Sequence, residues 1–238
     1  MWFCRLALGA GPAFVHCESR SEGRSLLKEV LGALHSSYSL LSIDSKVVHP
    51  YETLYFDKSD FSLYFDHHNQ RGNRYKLRLR KYGSSSVSYM ELKRKTNTGR
   101  TVKSRSKTSS FGTSLNEEQL QFFRHHTGEA LMQWQFSNRN CFDRITLVSL
   151  EPPERMTLDL NVTFENNHQK FSFPNLVIAE VKQGSKAPSA FIRLMKERHI
   201  HPFSISKYCV GITFLHPELK QNLFKKQQQT LLKLQNRA

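Results

Sequence analysis

Several segments alternate apolar and polar residues with period two, the pattern of a strand with one buried face. Residues 74 to 82, RYKLRLRKY, set Arg74, Lys76, Arg78 and Arg80 against Tyr75, Leu77 and Leu79. After the turn-forming GlySerSerSer, residues 87 to 95 set Glu91, Lys93 and Lys95 against Met90 and Leu92. In RMTLDLNVTF, residues 155 to 164, the residues Arg155, Thr157, Asp159, Asn161 and Thr163 oppose Met156, Leu158, Leu160, Val162 and Phe164. In LVIAEVKQ, residues 176 to 183, Glu180 and Lys182 oppose Val177, Ala179 and Val181. HPYETLYFD alternates Tyr51, Thr53, Tyr55 and Asp57 with Glu52, Leu54 and Phe56, and strands are also predicted at 101 to 107, 144 to 149 and near 203 to 214.

Helical spacing places Leu26, Leu27, Val30, Leu31 and Leu34 on one face and predicts a helix from Ser25 to about His35. A capping box at Ser114-Leu-Asn-Glu117 opens a helix containing Leu120, Phe122 and Phe123. DFSLYFDHH reads as a helical turn or strand end. A helix is expected from Pro188 or Ser189 to about His199, and a polar one at the C-terminus ending in QQQTLLKLQ. Residues 1 to 24 look irregular. The fold class is α+β, dominated by antiparallel strands, without an internal repeat.

One charged face on one strand is ordinary solvated sheet. Its repetition is less ordinary, because neighbouring columns of Arg and Lys on an open sheet repel unless an anion lies among them. Curling such a sheet into a barrel turns the charged faces inward, and about eight strands leave room for one extended ligand. A basic lumen matches phosphate oxygens, and a carboxylate among the cations can hold a divalent metal that bridges them. The chain has no GxxxxGK[ST] loop and no GxGxxG, so the site would be made of side chains.

Charge sharpens this picture. Of the formal net charge of +15, +12 lies between Arg71 and Lys107, where thirteen Lys or Arg face one acid, Glu91. That concentration implies a polyanionic partner. Nucleic acid is disfavoured, because the cations alternate with Leu rather than with exposed stacking aromatics and have carboxylates among them. The four cysteines, Cys4, Cys17, Cys141 and Cys209, lack metal or redox spacing and read as free thiols. The N-terminal apolar run is short and broken by Gly and Pro, and no apolar run reaches spanning length, so the chain reads as cytoplasmic.

The stretches YETLYFD, NRYKLRLRKYG, MELKRKTNTGRTVKSR, ERMTLDLNVTF, LVIAEVKQ and FSISKYCVG resemble, in order, those of the VTC domain. This is the polyphosphate polymerase domain of the triphosphate tunnel metalloenzyme, or CYTH-like, superfamily. The resemblance implies an antiparallel β-barrel tunnel with flanking helices, dependent on Mn2+ or Mg2+, that moves the γ-phosphate of ATP onto inorganic polyphosphate. It implies catalytic roles for Arg78, Arg80, Lys93 and Arg144. Phosphate binding falls to Arg74, Lys76, Lys95, Lys103, Arg155, Lys182, Ser206 and Lys207, and metal binding to Glu180 and Glu91. Asp159 is expected to orient Arg155.

The departure lies at the N-terminus. Family members open with a basic strand of the form R-x-x-x-K-Y, whereas this chain reads GPAFVHCESRSEGRSLLKEV, so the first strand is expected to be altered or missing. The expected organisation is a divergent segment 1–38, a tunnel domain 39–216 and a polar helix 217–238. The expected activity is polyphosphate polymerisation, with a non-catalytic polyphosphate- or nucleotide-binding module, or a tunnel triphosphatase, as the alternatives. A membrane-protein partner would be the recipient of a product made by a chain that has no spanning segment of its own.

Overall fold

The computed structural model describes residues 13–17, 23–83, 85, 87–128, 134–184 and 188–236. Ten strands form one wholly antiparallel sheet: β1 Ala13–Cys17, β2 Ser39–Leu40, β3 Val48–Asp57, β4 Arg74–Tyr82, β5 Ser88–Lys95, β6 Thr101–Thr108, β7 Gln135–Leu150, β8 Pro153–Glu165, β9 Lys170–Phe173 and β10 Leu176–Gln183. The main path runs β1-β10-β8-β7-β3-β4-β5-β6, with β2 on β7 and β9 on β8. The N-terminal segment therefore does supply a strand: β1 lies antiparallel to β10, with Ala13 opposite Glu180.

The charged faces of these strands turn toward one another. In a flat sheet β5 and β10 would lie about 24 Å apart, five strand spacings of about 4.8 Å. Yet Lys93 on β5 feels the charge of Glu180 on β10, and Lys182 on β10 feels that of Lys103 on β6. The sheet is curled into a trough around a charged lumen. Its end strands β1 and β6 do not pair with each other, so the wall is not closed by hydrogen bonds.

Helices cover the outer, apolar face. Helices α1 (Gly23–Leu34) and α4 (Ala190–Glu197) lie over β7, β8 and β10, burying Val30, Leu34, Phe191 and Met195 with Ile145, Leu147, Met156, Leu158 and Val181. Helix α3 (Glu117–Thr127) lies over β4 and β5, with Phe123 among Leu77, Leu79, Met90 and Leu92. Its cap is Asn116 rather than Ser114: the Asn116 side chain accepts from the Gln119 backbone N–H, and Gln119 reciprocates.

Two sequence expectations are overturned, both at the lower end of the trough. Residues 203 to 214 do not form a strand. Lys207–Leu215 form α5, capped by Ser206. Every residue from Tyr208 to Leu215 is buried, because α5 lies on the concave face of the sheet with apolar neighbours on all sides. A segment apolar all round has no helical stripe, so periodicity cannot separate a buried helix from a buried strand.

The alternation of β8 also breaks. Between Cys141/Thr163 and Asp143/Leu160 the register shifts by one residue, and Asn161 takes a left-handed φ of 53°. The bulge rotates the downstream residues onto the other face. Met156 and Leu158 remain in the outer core, whereas Val162 and Phe164 face inward against Val210 and Phe214 of α5. Gly211 marks the closest approach, since a Cβ there would fall 2.4 Å from the Asn138 amide nitrogen.

The remaining helices brace this plug. Helix α2 (Ser62–His68) is held to β3 by Asp57, which accepts from the backbone N–H of Lys58, Leu63 and Tyr64 and from the Tyr208 hydroxyl of α5. A short 3-10 turn at Asn222–Phe224 leads into α6 (Lys225–Asn236), whose Leu231 packs under α5.

Candidate functional site

Strand registers place the inward residues in rows. Lys76, Lys93 and Lys103 share one level, Arg78, Glu91 and Arg105 the next, and Arg80, Tyr89 and Lys107 the one above. Across the trough, Arg144 stands opposite Asp159, and Glu180 and Lys182 stand opposite Thr157 and Arg155. The rows differ in how their charges are matched.

Glu91 is the hub of the middle row. Arg78 grips its Oε2 through Nε and NH2, both at 2.7 Å. Arg80 lies at 3.7 Å, Arg105 Nε at 3.4 Å from Oε1, and the Tyr82 hydroxyl donates to Oε1 at 3.0 Å. Burial opposes ionisation here, but Arg78 and Arg80 hold the carboxyl down at about 2. β3 sets the arginines from beneath: Arg80 Nε donates to Thr53 Oγ1 at 3.1 Å, and Arg78 NH1 to the Tyr55 hydroxyl at 3.5 Å. Burial alone would raise the Tyr55 phenol, yet Arg78, Arg80 and Lys76 pull it below the ordinary tyrosine value.

A second hub joins the sheet to the plug. Arg144 binds Asp159 in a fork, Nε to Oδ1 at 2.5 Å and NH2 to Oδ2 at 2.7 Å, and Lys207 Nζ reaches Oδ2 at 2.5 Å. Burial opposes ionisation of Asp159, but Lys207 and Arg144 hold it at about 2. Asp159 thus orients Arg144 and Lys207, not Arg155. Neighbours on a regular strand could not both point at the lumen, but Ser206 is the cap of α5 and Lys207 its first residue, so the helix start presents the pair. The Ser206 hydroxyl receives the Lys76 ammonium at 2.7 Å and itself accepts from the Cys209 backbone N–H.

The lysine row is different. Among the described residues, the ion pairs near the lumen use Arg78, Arg80, Arg105, Arg144, Lys182 and Lys207, and none uses Lys76, Lys93, Lys95 or Lys103. Lys93 is open to the lumen yet enclosed by other cations. Desolvation first, then Lys76, Lys103 and Arg78, bring its ammonium down to about 8. Below this row a cavity of about 580 Å3 runs beside the start of α5, lined by Arg74, Lys76, Lys93, Lys95, Ser206 and His67 among others. Burial, then Lys76, keeps His67 neutral, down to about 2.

The other lumen carboxylate, Glu180, pairs with Lys182 at 2.8 Å and keeps part of its surface accessible. Burial opposes its ionisation, but Lys182, Lys207 and Arg144 lower it. Among the described residues no group of three His, Cys, Asp or Glu forms a metal cage. Glu91 and Glu180 head separate clusters. Arg155 is exposed beside Lys182, and Arg74 donates to the Arg71 carbonyl at 2.5 Å. Thr53, Tyr55, Tyr82 and Arg105 were not among the residues expected to form the site. For the first two the signal was present, since HPYETLYFD already set Tyr51, Thr53 and Tyr55 on one face.

The family profile described as the VTC domain matches residues 23–216, and the chain belongs to this family. Among solved structures, it is similar to a Bacillus halodurans protein named as a candidate adenylate cyclase. The identity is 13%, covering 83% of this chain and 94% of that one, with a TM-score of 0.50. It is also similar to HpAC1 from Hippeastrum, a candidate adenylyl cyclase described as having a dominant triphosphatase activity. There the identity is 15%, with 86% and 96% coverage and a TM-score of 0.52. No curated protein sequence matches. The fold is that of the CYTH-like triphosphate-tunnel proteins, and no helix among the described residues is long and apolar enough to cross a membrane.

Proposed function

We propose that this protein is a metal-dependent polyphosphate polymerase, which transfers the γ-phosphate of ATP to a polyphosphate chain held in the lumen. The observation that carries this reading is the row Lys76, Lys93 and Lys103. These are cations gathered without an ion pair among the described residues, at a cost in mutual repulsion that a bound polyanion would relieve. A terminal oxygen of the chain forms the new bond to the γ-phosphorus while the bond to the β–γ bridging oxygen breaks and ADP leaves. Arg78 and Arg80, fixed by Glu91, Thr53 and Tyr55, supply preorganised donors to the transferred group. Lys93, Lys103 and Lys76 hold phosphates along the path, and Arg144 and Lys207 flank them from the plug side.

The donor set fits a hard divalent ion that takes one or two carboxylates and completes its shell with phosphate oxygens and water. Glu180 suits that role, whereas Glu91 is engaged by three guanidiniums, whose charge would repel a metal ion, and acts as their counter-ion. Mn2+ or Mg2+ would neutralise charge on the phosphoryl oxygens. A cytoplasmic location and a membrane-protein partner that takes up the chain complete the reading.

One feature of the sequence favours a binding module instead: where family members open with a basic strand, this chain reads AFVHC, without Lys or Arg. Incubating the purified protein with ATP and Mn2+, with long-chain polyphosphate followed on a gel and free phosphate in parallel, separates the possibilities. Polymer that disappears in the Arg78→Ala, Arg80→Ala double variant is the expected result. Free phosphate alone means a triphosphatase, and tight polyphosphate binding with neither product means a binding module.

A further inference from the structure

Above the Glu91 row the inner wall changes character. Phe142, Tyr51, Tyr82 and Tyr89, on four adjacent strands β7, β3, β4 and β5, form a continuous belt of inward rings. Phe142 and Tyr51 stack at 5.3 Å, Tyr51 and Tyr82 meet edge-on at 4.9 Å, and Tyr82 and Tyr89 at 5.5 Å. Two guanidiniums lie across it, Arg105 at 3.6 Å from the Tyr89 centroid and Arg144 at 4.7 Å from that of Tyr51.

Aromatic faces are electron-rich and do nothing to attract phosphate. Arg105 is placed to present a plane rather than a fork. Its Nε edge is engaged by Glu91, one face rests on Tyr89, and 47% of its side chain is exposed. A guanidinium plane backed by an aromatic ring is a stacking platform for a planar heteroaromatic ring. Directly below it run the lysines and arginines of the lumen. Tyr89 and Lys93 are four residues apart on β5, about 13 Å along the strand, a span that suits a nucleoside above and an extended triphosphate below.

We propose that this belt is a nucleoside subsite. The base of a nucleoside triphosphate stacks on Arg105 and Tyr89 at the rim, and its phosphates run down past Arg78 and Arg80 toward Lys93. The assignment rests on the reading of the lumen as a triphosphate site. It adds that the nucleotide is recognised by its base and that it enters from the end of the trough marked by Tyr82 and Tyr89.

Calorimetric titration of the full chain in Mg2+ with ATP, ribose 5-triphosphate and inorganic tripolyphosphate tests it. Wild type should bind ATP about tenfold more tightly than ribose triphosphate, the scale of one base stack. Tyr89→Ala should erase that advantage while leaving tripolyphosphate affinity within about twofold. Equal wild-type affinity for ATP and ribose triphosphate overturns the proposal, whatever the variant does. So does a Tyr89→Ala variant that weakens all three ligands alike, which is what a purely structural ring ladder would give. If wild type binds tripolyphosphate but gains nothing from the base, only the subsite falls. If it binds none of the three, the triphosphate lumen falls, and the subsite with it.

Discussion

On the wing formed by β7, β8 and β10, inward cations meet carboxylates: Arg144 and Lys207 share Asp159, and Lys182 takes Glu180. Below them the same wing is apolar and filled by α5. On the wing formed by β4, β5 and β6, one carboxylate serves three arginines, and the lysines one row down form no ion pair among the described residues. Both wings curl around one lumen, but on the first the enclosed cations Arg144, Lys182 and Lys207 each have a carboxylate. Pairing fixes geometry, as the fork from Arg144 and the reach of Lys207 join sheet to plug. Incomplete pairing leaves work for a ligand, because a phosphate chain can supply what the second wing lacks.

The comparison breaks most sharply at Asp159. Asp159→Ala leaves the half-buried Arg144 and Lys207 without their buried counter-ion, and should destabilise the fold by about 3 kcal/mol in chemical denaturation. The pH dependence has a definite sign. The folded-state value of Asp159, about 2, lies below the ordinary aspartate value of about 3.9. Its stabilisation is therefore complete above about pH 4 and is lost as pH falls toward 2. No change from this residue is expected between pH 5 and 8.

A smaller effect is expected at the plug. Gly211→Ala drives a methyl against the Asn138 amide and the Phe164 ring, and overpacking of this kind costs about 1–3 kcal/mol. Anion affinity measured at a temperature where the variant stays folded should fall far less than stability does. An equal loss of both would mean that the plug shapes the lumen as well as supporting it.

The smallest expected change in stability sharpens the contrast. Lys93→Met should leave the unfolding midpoint unchanged or slightly raised, because it removes a like-charge neighbour of Lys76 and Lys103, while tripolyphosphate affinity drops about tenfold. Binding a polyanion raises the Lys93 pKa above its free value of about 8. Its contribution to affinity is therefore complete below about pH 8 and fades as pH rises toward the bound-state value. Titrations between pH 7 and 9.5 should show that decline in wild type and a flatter profile in the variant.

Much of the trough wall was legible in RYKLRLRKY and MELKRK, because period-two alternation holds without interruption along β4 and β5 and fixes which residues share a face. The same rule misassigned Val162 and Phe164, since one extra residue at Asn161 inverts the order and nothing in RMTLDLNVTF announces it. It also took the segment around KYCVGITFL for a strand. Arg78, Arg80, Lys93, Arg144 and Glu180 could be singled out from their motifs, but their partners could not. Glu91 was assigned to metal, whereas it serves Arg78, Arg80 and Arg105. Asp159 was assigned to Arg155, whereas it serves Arg144 and Lys207. Ion pairs between strands depend on register, and register depends on turns and bulges that composition does not specify.

The sequence alone determined an antiparallel α+β protein with a strongly cationic face, because alternation and charge clustering are local properties of the chain. Only the tertiary structure decided that the wall stays open between β1 and β6, that α5 fills one side of the lumen, and which cations remain unmatched. Those outcomes depend on which elements meet across long stretches of chain. Distance between charges, not their number, determines whether a lysine is already neutralised or still available to a phosphate.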